Sequence, residues 1–201
     1  GDVKFEKFSR SFSNFSGSAG VSVEASDAIT LKANIARGFR SPTLAELASN
    51  GAHEGTNRYE YGQQDLKSET SLQFDAGLNF NYEHFSIDIN AFYNSINDFI
   101  FYRKLEAFGG GDSLVLNDGD LIPAFKFNQQ NAKLSGVEAS IDIHPHPLDW
   151  LHFENTFSLV MGRFTTDIQG NNNIPFIPAP RWQSELRADF KQLGKHLSNT
   201  Y

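Results

Sequence analysis

Apolar and polar residues alternate along this chain with a period of two. Over 72–82 the even positions are Leu72, Phe74, Ala76, Leu78, Phe80 and Tyr82; between them stand Gln73, Asp75, Gly77, Asn79 and Asn81. Successive side chains of a strand point to opposite faces, so this stretch predicts a strand with one apolar and one wet face. A helix, with its longer repeat, does not produce the pattern. The alternation returns six times. Val21, Val23 and Ala25 oppose Ser22 and Glu24, and Ile29, Leu31, Ala33 and Ile35 oppose Thr30, Lys32 and Asn34. Phe85, Ile87, Ile89 and Ala91 oppose Ser86, Asp88 and Asn90, and Val137, Ala139, Ile141 and Ile143 oppose Glu138, Ser140 and Asp142. Leu151, Phe153, Phe157, Leu159 and Met161 face away from His152, Glu154, Thr156 and Ser158, and Trp182, Leu186, Ala188 and Phe190 from Gln183, Glu185, Arg187 and Asp189. Seven strands are predicted, with an eighth beginning at 197–201.

The connections carry a second pattern. Ser26-Asp27, Glu83-His84, 144–149 and 191–195 read as short turns, and about 41–67, 103–125 and 165–177 as long polar excursions. Short and long alternate strictly. In an up-and-down antiparallel sheet, all short turns then share one end and all long loops the other, the layout of outer-membrane barrels. Loops of that length are uncommon in compact soluble domains. A soluble antiparallel sheet with one buried face would alternate residues in the same way. Strand length favours the barrel, because the runs exceed the soluble mode of about 5–6 residues and approach the roughly 9–11 needed to cross a bilayer. Aromatics also gather near strand ends: Tyr82, Phe85, Trp150 and Phe190 by the short turns, Phe39, Phe101, Phe164 and Trp182 by the long loops. Such bands resemble interfacial girdles.

Composition changes the picture in a few places. Phe occurs 19 times, which suits strands. Mean hydropathy is −0.41, and no apolar run nears the roughly 18 residues of a membrane helix. A spanning barrel is compatible with both, since only every second residue meets lipid. Lys32, Asp75, Asp88, Asp142 and Arg187 all fall on the polar face, which in a barrel lines a wide, wet lumen. The chain starts in a loop (4–14) and stops as a strand begins, so both sheet edges would lack partners; a slice of a larger barrel is expected. No signal peptide opens the chain, and the abrupt start at Gly1-Asp2 fits a truncated or processed protein as well as a cytosolic one. The chain has no Cys, which excludes disulfides and thiolate metal sites. With a net charge of −7 and no Lys/Arg stripe, no nucleic-acid partner is expected.

The stretch "IARGFRSPTLAEL", followed by "GAHEGTNRYEYGQQDLKSETSLQFDAGLNF", resembles the TonB-dependent outer-membrane receptors, of the Bacteroidetes-like iron or haem type. In that family a strand ending Arg-x-Phe-Arg-[Ala/Ser]-Pro-x-x-x-Glu-Leu enters a loop, which returns through Gly-Asn-Pro-x-Leu-Lys-Pro-Glu. Phe39, Arg40, Pro42, Glu46 and Leu47 match the first box, and Leu66, Lys67 and Glu69 the second, where Gln replaces Asn and Pro, and Ser68 replaces Pro. "AFYNSINDFIFYRK", "NQQNAKLSGVEASIDIHP" and "PFIPAPRWQSELRADF" resemble later strands of the family. The resemblance covers about 12–201. It implies that 1–201 is part of the C-terminal domain of an all-β, antiparallel, up-and-down transmembrane barrel of about 22 strands, here a slice of about 7–8, set in the bacterial outer membrane. The implied partners are membrane lipid, an N-terminal plug domain, the TonB complex and a small ligand such as an iron chelate. The implied activity is energised import of a scarce nutrient, siderophore or haem, without cofactor or catalysis. Other outer-membrane barrels, adhesin or enzyme, and a soluble β-sandwich binding module are the alternatives.

Within the outer loop, His53 stands between the two boxes. In haem receptors of this family a His in the corresponding loop ligates iron, and Tyr59 and Tyr61 lie close enough in sequence to join it. An exposed loop His is the plain alternative. Arg40 and Glu46 are expected to brace the loop base rather than exchange protons. His144 and His146, in "HPHPLDW", have a spacing that suggests metal, but the prolines make a structural turn the better reading, and no metal site is expected. "GGGD" at 109–112 reads as a loop tip. Asp118-Gly119-Asp120 offers calcium-type oxygens without the regular carboxylate spacing of a calcium loop. No Ser lies in a nucleophile motif.

Overall fold

The computed structural model describes residues 9–53, 55–148, 150–168, 170–193 and 197–200, with side chains as far as residue 190. In chain order the elements are β1 (Gly17–Ser26), β2 (Ile29–Arg40), α1 (Leu44–Ala48), β3 (Asn50–His53), β4 (Arg58–Tyr61), β5 (Glu69–Tyr82), β6 (Phe85–Lys104), β7 (Leu114–Asn117), β8 (Asp120–Ile143), β9 (Leu151–Ile168), β10 (Asn171–Asn173), β11 (Arg181–Ala188), β12 (Phe190–Leu193) and β13 (Leu197–Thr200). Seven of these, β1, β2, β5, β6, β8, β9 and β11, pair antiparallel in that order as one meandering sheet. They are the seven strands that the alternation predicts. Among the described residues β1 and β11 each have one long-strand neighbour, so the sheet is open, as part of a larger barrel would be.

Register turns the alternation along each strand into bands across the sheet. Val23, Leu31, Leu78, Ile89, Ala139, Phe157 and Trp182 are successive cross-strand partners, apolar on all seven strands. Two residues away on most strands, Val21, Ala33, Ala76, Ala91, Val137 and Leu159 form a parallel band. Between them, on the other face, run Ser22, Lys32, Gly77, Asn90, Glu138, Ser158 and Arg181. The apolar face is uncovered: Leu31 is 46% and Trp182 70% exposed. At about 25 cal/mol per Å² a face this large is costly in water and well solvated by lipid. On the polar face side chains pair laterally, with Asn34 donating to Asp75 (3.0 Å) and Asn79 to Asp88 (2.6 Å). The sandwich alternative requires a second sheet over the apolar face; the described residues form none.

Three expectations change. First, the long excursions are largely structured, because the strands outrun the membrane. β6 has 20 residues and β8 has 24, about twice the 9–11 a tilted strand needs to cross. Above Val137 the apolar set of β8 becomes Ser135, Lys133, Asn131 and Gln129, which marks its exit into water. The 103–125 excursion contains the β7–β8 ribbon. Its turn has φ 50 at Asp118 and φ 94 at Gly119, both central positions left-handed as a two-residue hairpin requires, which accounts for the Asp-Gly pair. Likewise β9 runs on to Ile168 and pairs with β10.

Second, Phe101 and Phe164 are not girdle residues. Between Ile96 and Phe99, β6 uses one residue more than β8, with Asp98 at φ 55. This bulge reverses the alternation, so Phe99 and Phe101 come into register with Gln130 and Asn128 on the formerly polar face. There Phe101 and Phe99 meet Phe164 at 4.6 and 6.2 Å and pack with Ala132 and Ile174. Phe39 and Trp182 remain exposed on the apolar face, and Trp150 stacks on Phe190 at 5.0 Å by the short turns. Third, β13 does not extend the sheet; it pairs with β12 as a separate two-stranded ribbon. Asp189 ends β11 by donating its N–H to the Trp150 carbonyl. The first residues of the expected opening loop (4–8), residue 149 of the expected 144–149 turn, residues 194–195 of the expected 191–195 turn and Tyr201 lie outside the described residues.

Leu31→Arg, in the middle apolar band, is expected to destabilise the full-length barrel by about 2–4 kcal/mol. Asn90→Arg, beside Glu138 on the polar face, should change it by less than about 1 kcal/mol. Urea titration of folding into lipid vesicles compares the two.

Candidate functional site

β2 ends where Pro42, which has no N–H to give a ladder, follows Ser41. Thr43 then caps α1 reciprocally: its side chain accepts from the Glu46 N–H (3.2 Å), and Glu46 Oε2 accepts from the Thr43 N–H (2.7 Å). Glu46 is thereby aimed back at the strand end. Arg40 Nη1 donates to both Glu46 oxygens (2.9 and 2.8 Å), while its Nε and Nη2 donate to Glu69 Oε2 and Oε1 (3.0 and 2.7 Å). Arg40 and Glu69 are direct partners across β2 and β5. Glu69 Oε1 also accepts the Ile100 N–H from β6. One guanidinium thus joins three strands and the helix. Hydrogen bonds to Glu69 and then to Glu46 outweigh burial and raise the Arg40 pKa beyond its already high ordinary value. Burial alone would raise the Glu46 carboxyl; Arg40 and the Thr43 N–H reverse this and hold it below the ordinary glutamate value.

Beneath the clamp, Leu47, Leu66 and Ile100 are buried together against Phe12 and Phe127. Pro42 is buried as well, and Phe39 is half exposed on the apolar face. The loop closes on the helix end through Gly62 N–H to Ser49 O (2.7 Å) and Gln63 N–H to Glu46 O (2.8 Å). A Cβ on Gly62 would stand 2.6 Å from the Ala48 and Ser49 nitrogens, so only Gly allows this approach. The return segment is fastened by a residue the sequence reading passed over. Gln129 accepts from the Lys67 N–H and donates to the Lys67 carbonyl (2.7 Å each), and it donates to the Asp98 carbonyl (2.9 Å). Its signal was visible as a polar side chain on the apolar alternation set of β8.

On this base stands the β3–β4 hairpin, whose second strand runs parallel to β8 at Tyr59–Ala124, Glu60–Phe125 and Tyr61–Lys126. His53 is exposed, with Thr56 Oγ1 3.2 Å from its Nδ1. Tyr59 and Tyr61 pack ring to ring at 5.0 Å, and Tyr59 donates to Asn50 (3.0 Å). Direct partners share a face of an antiparallel pair. His53 therefore lies with Arg58, whereas Tyr59 and Tyr61 lie with Ala52 and Asn50 on the opposite face. The hairpin separates the histidine from the tyrosine pair rather than bringing them together. Arg58 and Glu60 form an ion pair at 2.6 Å, and the guanidinium lies 4.1 Å from the Tyr102 ring centroid. Burial lowers the Arg58 pKa, but Tyr102 and the Glu60 carboxylate that accepts from it outweigh this and leave the pKa raised. At the other end of the sheet, His144 and His146 lie near His84, and His144 near His152.

An open meander with a lipid-compatible outer face, a charged inner face, short turns at one end and braced loops at the other is a portion of an outer-membrane barrel wall. All of residues 1–201 match the family described as TonB dependent receptor-like, beta-barrel, and the chain belongs to that family. A probable TonB-dependent siderophore receptor, PirA of Acinetobacter baumannii, is 25% identical over 193 residues, covering 88% of this chain and 25% of the relative. Among solved structures, the copper transporter OprC superposes with a TM-score of 0.65 at 19% identity, covering 85% of this chain and 24% of that one. The Serratia marcescens hemophore receptor HasR, solved with its hemophore HasA and heme, gives 0.63 at 14% identity over 87% and 30%. The chain thus spans roughly a quarter of the length of these proteins. The relatives' names are those of receptors and transporters rather than enzymes, and membership of the TonB-dependent receptor barrel family sets this chain in the outer membrane of Gram-negative bacteria.

Arg40→Ala should free the 41–67 loop from the strand ends while the transmembrane strands stay paired. Hydrogen exchange is expected to speed up by at least about tenfold at Leu47, Gly62 and Gln63 and to stay unchanged at Leu78. Glu46 has a depressed pKa in the folded loop, so its contribution is complete above the ordinary value of about 4.3 and is lost as pH falls through the depressed one. The same amides should therefore keep their protection down to pH about 4 and lose it below.

Proposed function

We propose that this chain belongs to the C-terminal barrel domain of an outer-membrane receptor that imports an iron chelate, siderophore or haem, with energy relayed by TonB. The observation that carries the reading is the Arg40 clamp. It anchors the base of a hairpin of exposed and aromatic side chains over the long-loop rim of a wall whose inner face is charged and hydrophilic. A loop braced in this way presents ligand-facing groups at fixed positions, which lowers the ordering cost of binding. The similarity to a siderophore receptor supports the chelate class. An N-terminal plug in the lumen and the TonB complex are the partners this reading requires.

Growth of a strain deleted for the full-length gene, under iron limitation and fed a panel of ferric siderophores and haem, tests the proposal. Loss of growth on one chelate, restored by the gene and abolished without TonB, is the expected result. Equal growth on every iron source would reject it.

For haem in particular, His53 is the loop group that would ligate iron, since imidazole is its natural donor and the ring is exposed. Tyr59 and Tyr61, on the other face of the hairpin, would then contact a different part of the ligand or none. Haem titration of the full-length receptor should show weaker binding for His53→Ala, by about tenfold or more, and unchanged binding for Tyr61→Phe. Equal affinity in the His53 variant removes it from the site.

A further inference from the structure

The short-turn end of the inner face holds four of the chain's six histidines, His84, His144, His146 and His152. The HPHP turn returns β8 into β9, so His152 comes beside His144 and Asp142. The assembling pair is therefore His144 with His152, rather than His144 with its sequence neighbour His146. The two rings are 5.3 Å apart, and one ligand atom from each of Asp142, His144 and His152 lies within 4.8 Å of the others.

Their hydrogen bonds leave the cluster unsatisfied. His144 Nε2 is 3.0 Å from the Glu83 carbonyl, which can only accept, so this nitrogen carries hydrogen. In the neutral ring, Nδ1 then holds a lone pair. That atom is buried without a hydrogen-bond partner, 3.6 Å from Asp142 Oδ2. Two acceptors face each other there. Asp142 Oδ1 is likewise buried without a partner. His152 Nδ1 reaches the same Asp142 Oδ2 at 2.9 Å, and its Nε2 stands 3.7 Å from Asp189 Oδ2. Charge points the same way. Asp142, Glu154 and Asp189 are offset by Arg187, which pairs with Glu154 and Asp189. The three carboxylates outnumber the one guanidinium, a field that favours a bound cation.

We propose that Asp142, His144 and His152 bind a divalent transition-metal ion. His144 Nδ1, His152 Nδ1 and Asp142 Oδ2 supply three ligands. Bonds of about 2.0–2.1 Å in a tetrahedron set neighbouring ligand atoms roughly 3.3 Å apart, a spacing small imidazole rotations reach from the positions seen. The Glu83 carbonyl holds the back of the His144 ring by a hydrogen bond, the partner a metal-bound histidine needs, and the Asp189 carboxylate stands 3.7 Å from the back of the His152 ring. Two imidazoles and one carboxylate suit zinc, ferrous iron or nickel better than calcium or magnesium. The fourth position is left to water or another donor on the inner side of the wall. The site is remote from the outer loops and does not depend on which nutrient is imported.

Titration of the metal-stripped full-length protein in detergent with Zn²⁺, followed by calorimetry, and with Co²⁺, followed by visible absorption, tests the site. The wild type should bind one equivalent more than His144→Gln/His152→Gln, with Co²⁺ bands of low-symmetry N/O coordination that the double variant lacks. Asp142→Asn keeps the side-chain shape and should weaken binding by at least about tenfold, while His53→Ala should leave it unchanged. Each variant is compared only after its circular dichroism and thermal unfolding match a folded barrel; if the double variant fails that check, Asp142→Asn decides. No Zn²⁺ binding by the wild type, or equal stoichiometry and affinity in the variants, overturns the proposal.

Discussion

Every backbone N–H and C=O within a bilayer has to find its partner inside the protein, because hydrocarbon offers none. In this chain the antiparallel ladder meets that demand for β2, β5, β6, β8 and β9, each paired on both sides, and the same ladder fixes which residues share a face. Once β5 pairs with β2 at Leu78–Leu31 and with β6 at Leu78–Ile89, a one-residue slip on any strand would put Lys32, Asp88 or Glu138 against lipid. The apolar bands therefore do more than coat the sheet. They make one register far better than its neighbours.

Above the bilayer that constraint relaxes, and different physics takes over. The bulge at Asp98 turns Phe99 and Phe101 to the inner face, where Phe164 and Ile174 cover them, so hydrophobic packing resumes where lipid no longer solvates the wall. Arg40 organises the neighbouring loop with two carboxylates, each held by a second tie of its own, Glu46 to the Thr43 N–H and Glu69 to the Ile100 N–H. Such shared charge-assisted bonds set geometry better than an isolated surface ion pair does. The result is a hairpin whose two faces carry different chemistry, His53 on one and the Tyr59–Tyr61 pair on the other. That separation limits how one small ligand could use both.

The alternation and the strict sequence of short and long connections were legible from the chain, because each depends on local spacing, and the Arg40-to-Glu69 boxes were legible through their resemblance to a family pattern. Seven strands, the lipid-facing set and a braced loop followed from them. The sequence alone did not reveal Gln129 as the clasp of Lys67, the reversal of Phe101, the parallel contact of β4 with β8, or the meeting of His144 with His152. These depend on register between segments dozens of residues apart, on a single left-handed residue such as Asp98, or, for the two histidines, on how the HPHP turn returns β8 into β9. Period-two spacing determines a face wherever one side of a strand must meet lipid. Where strands stand in water and either face can be wet, only the tertiary pairing decides which side chains meet.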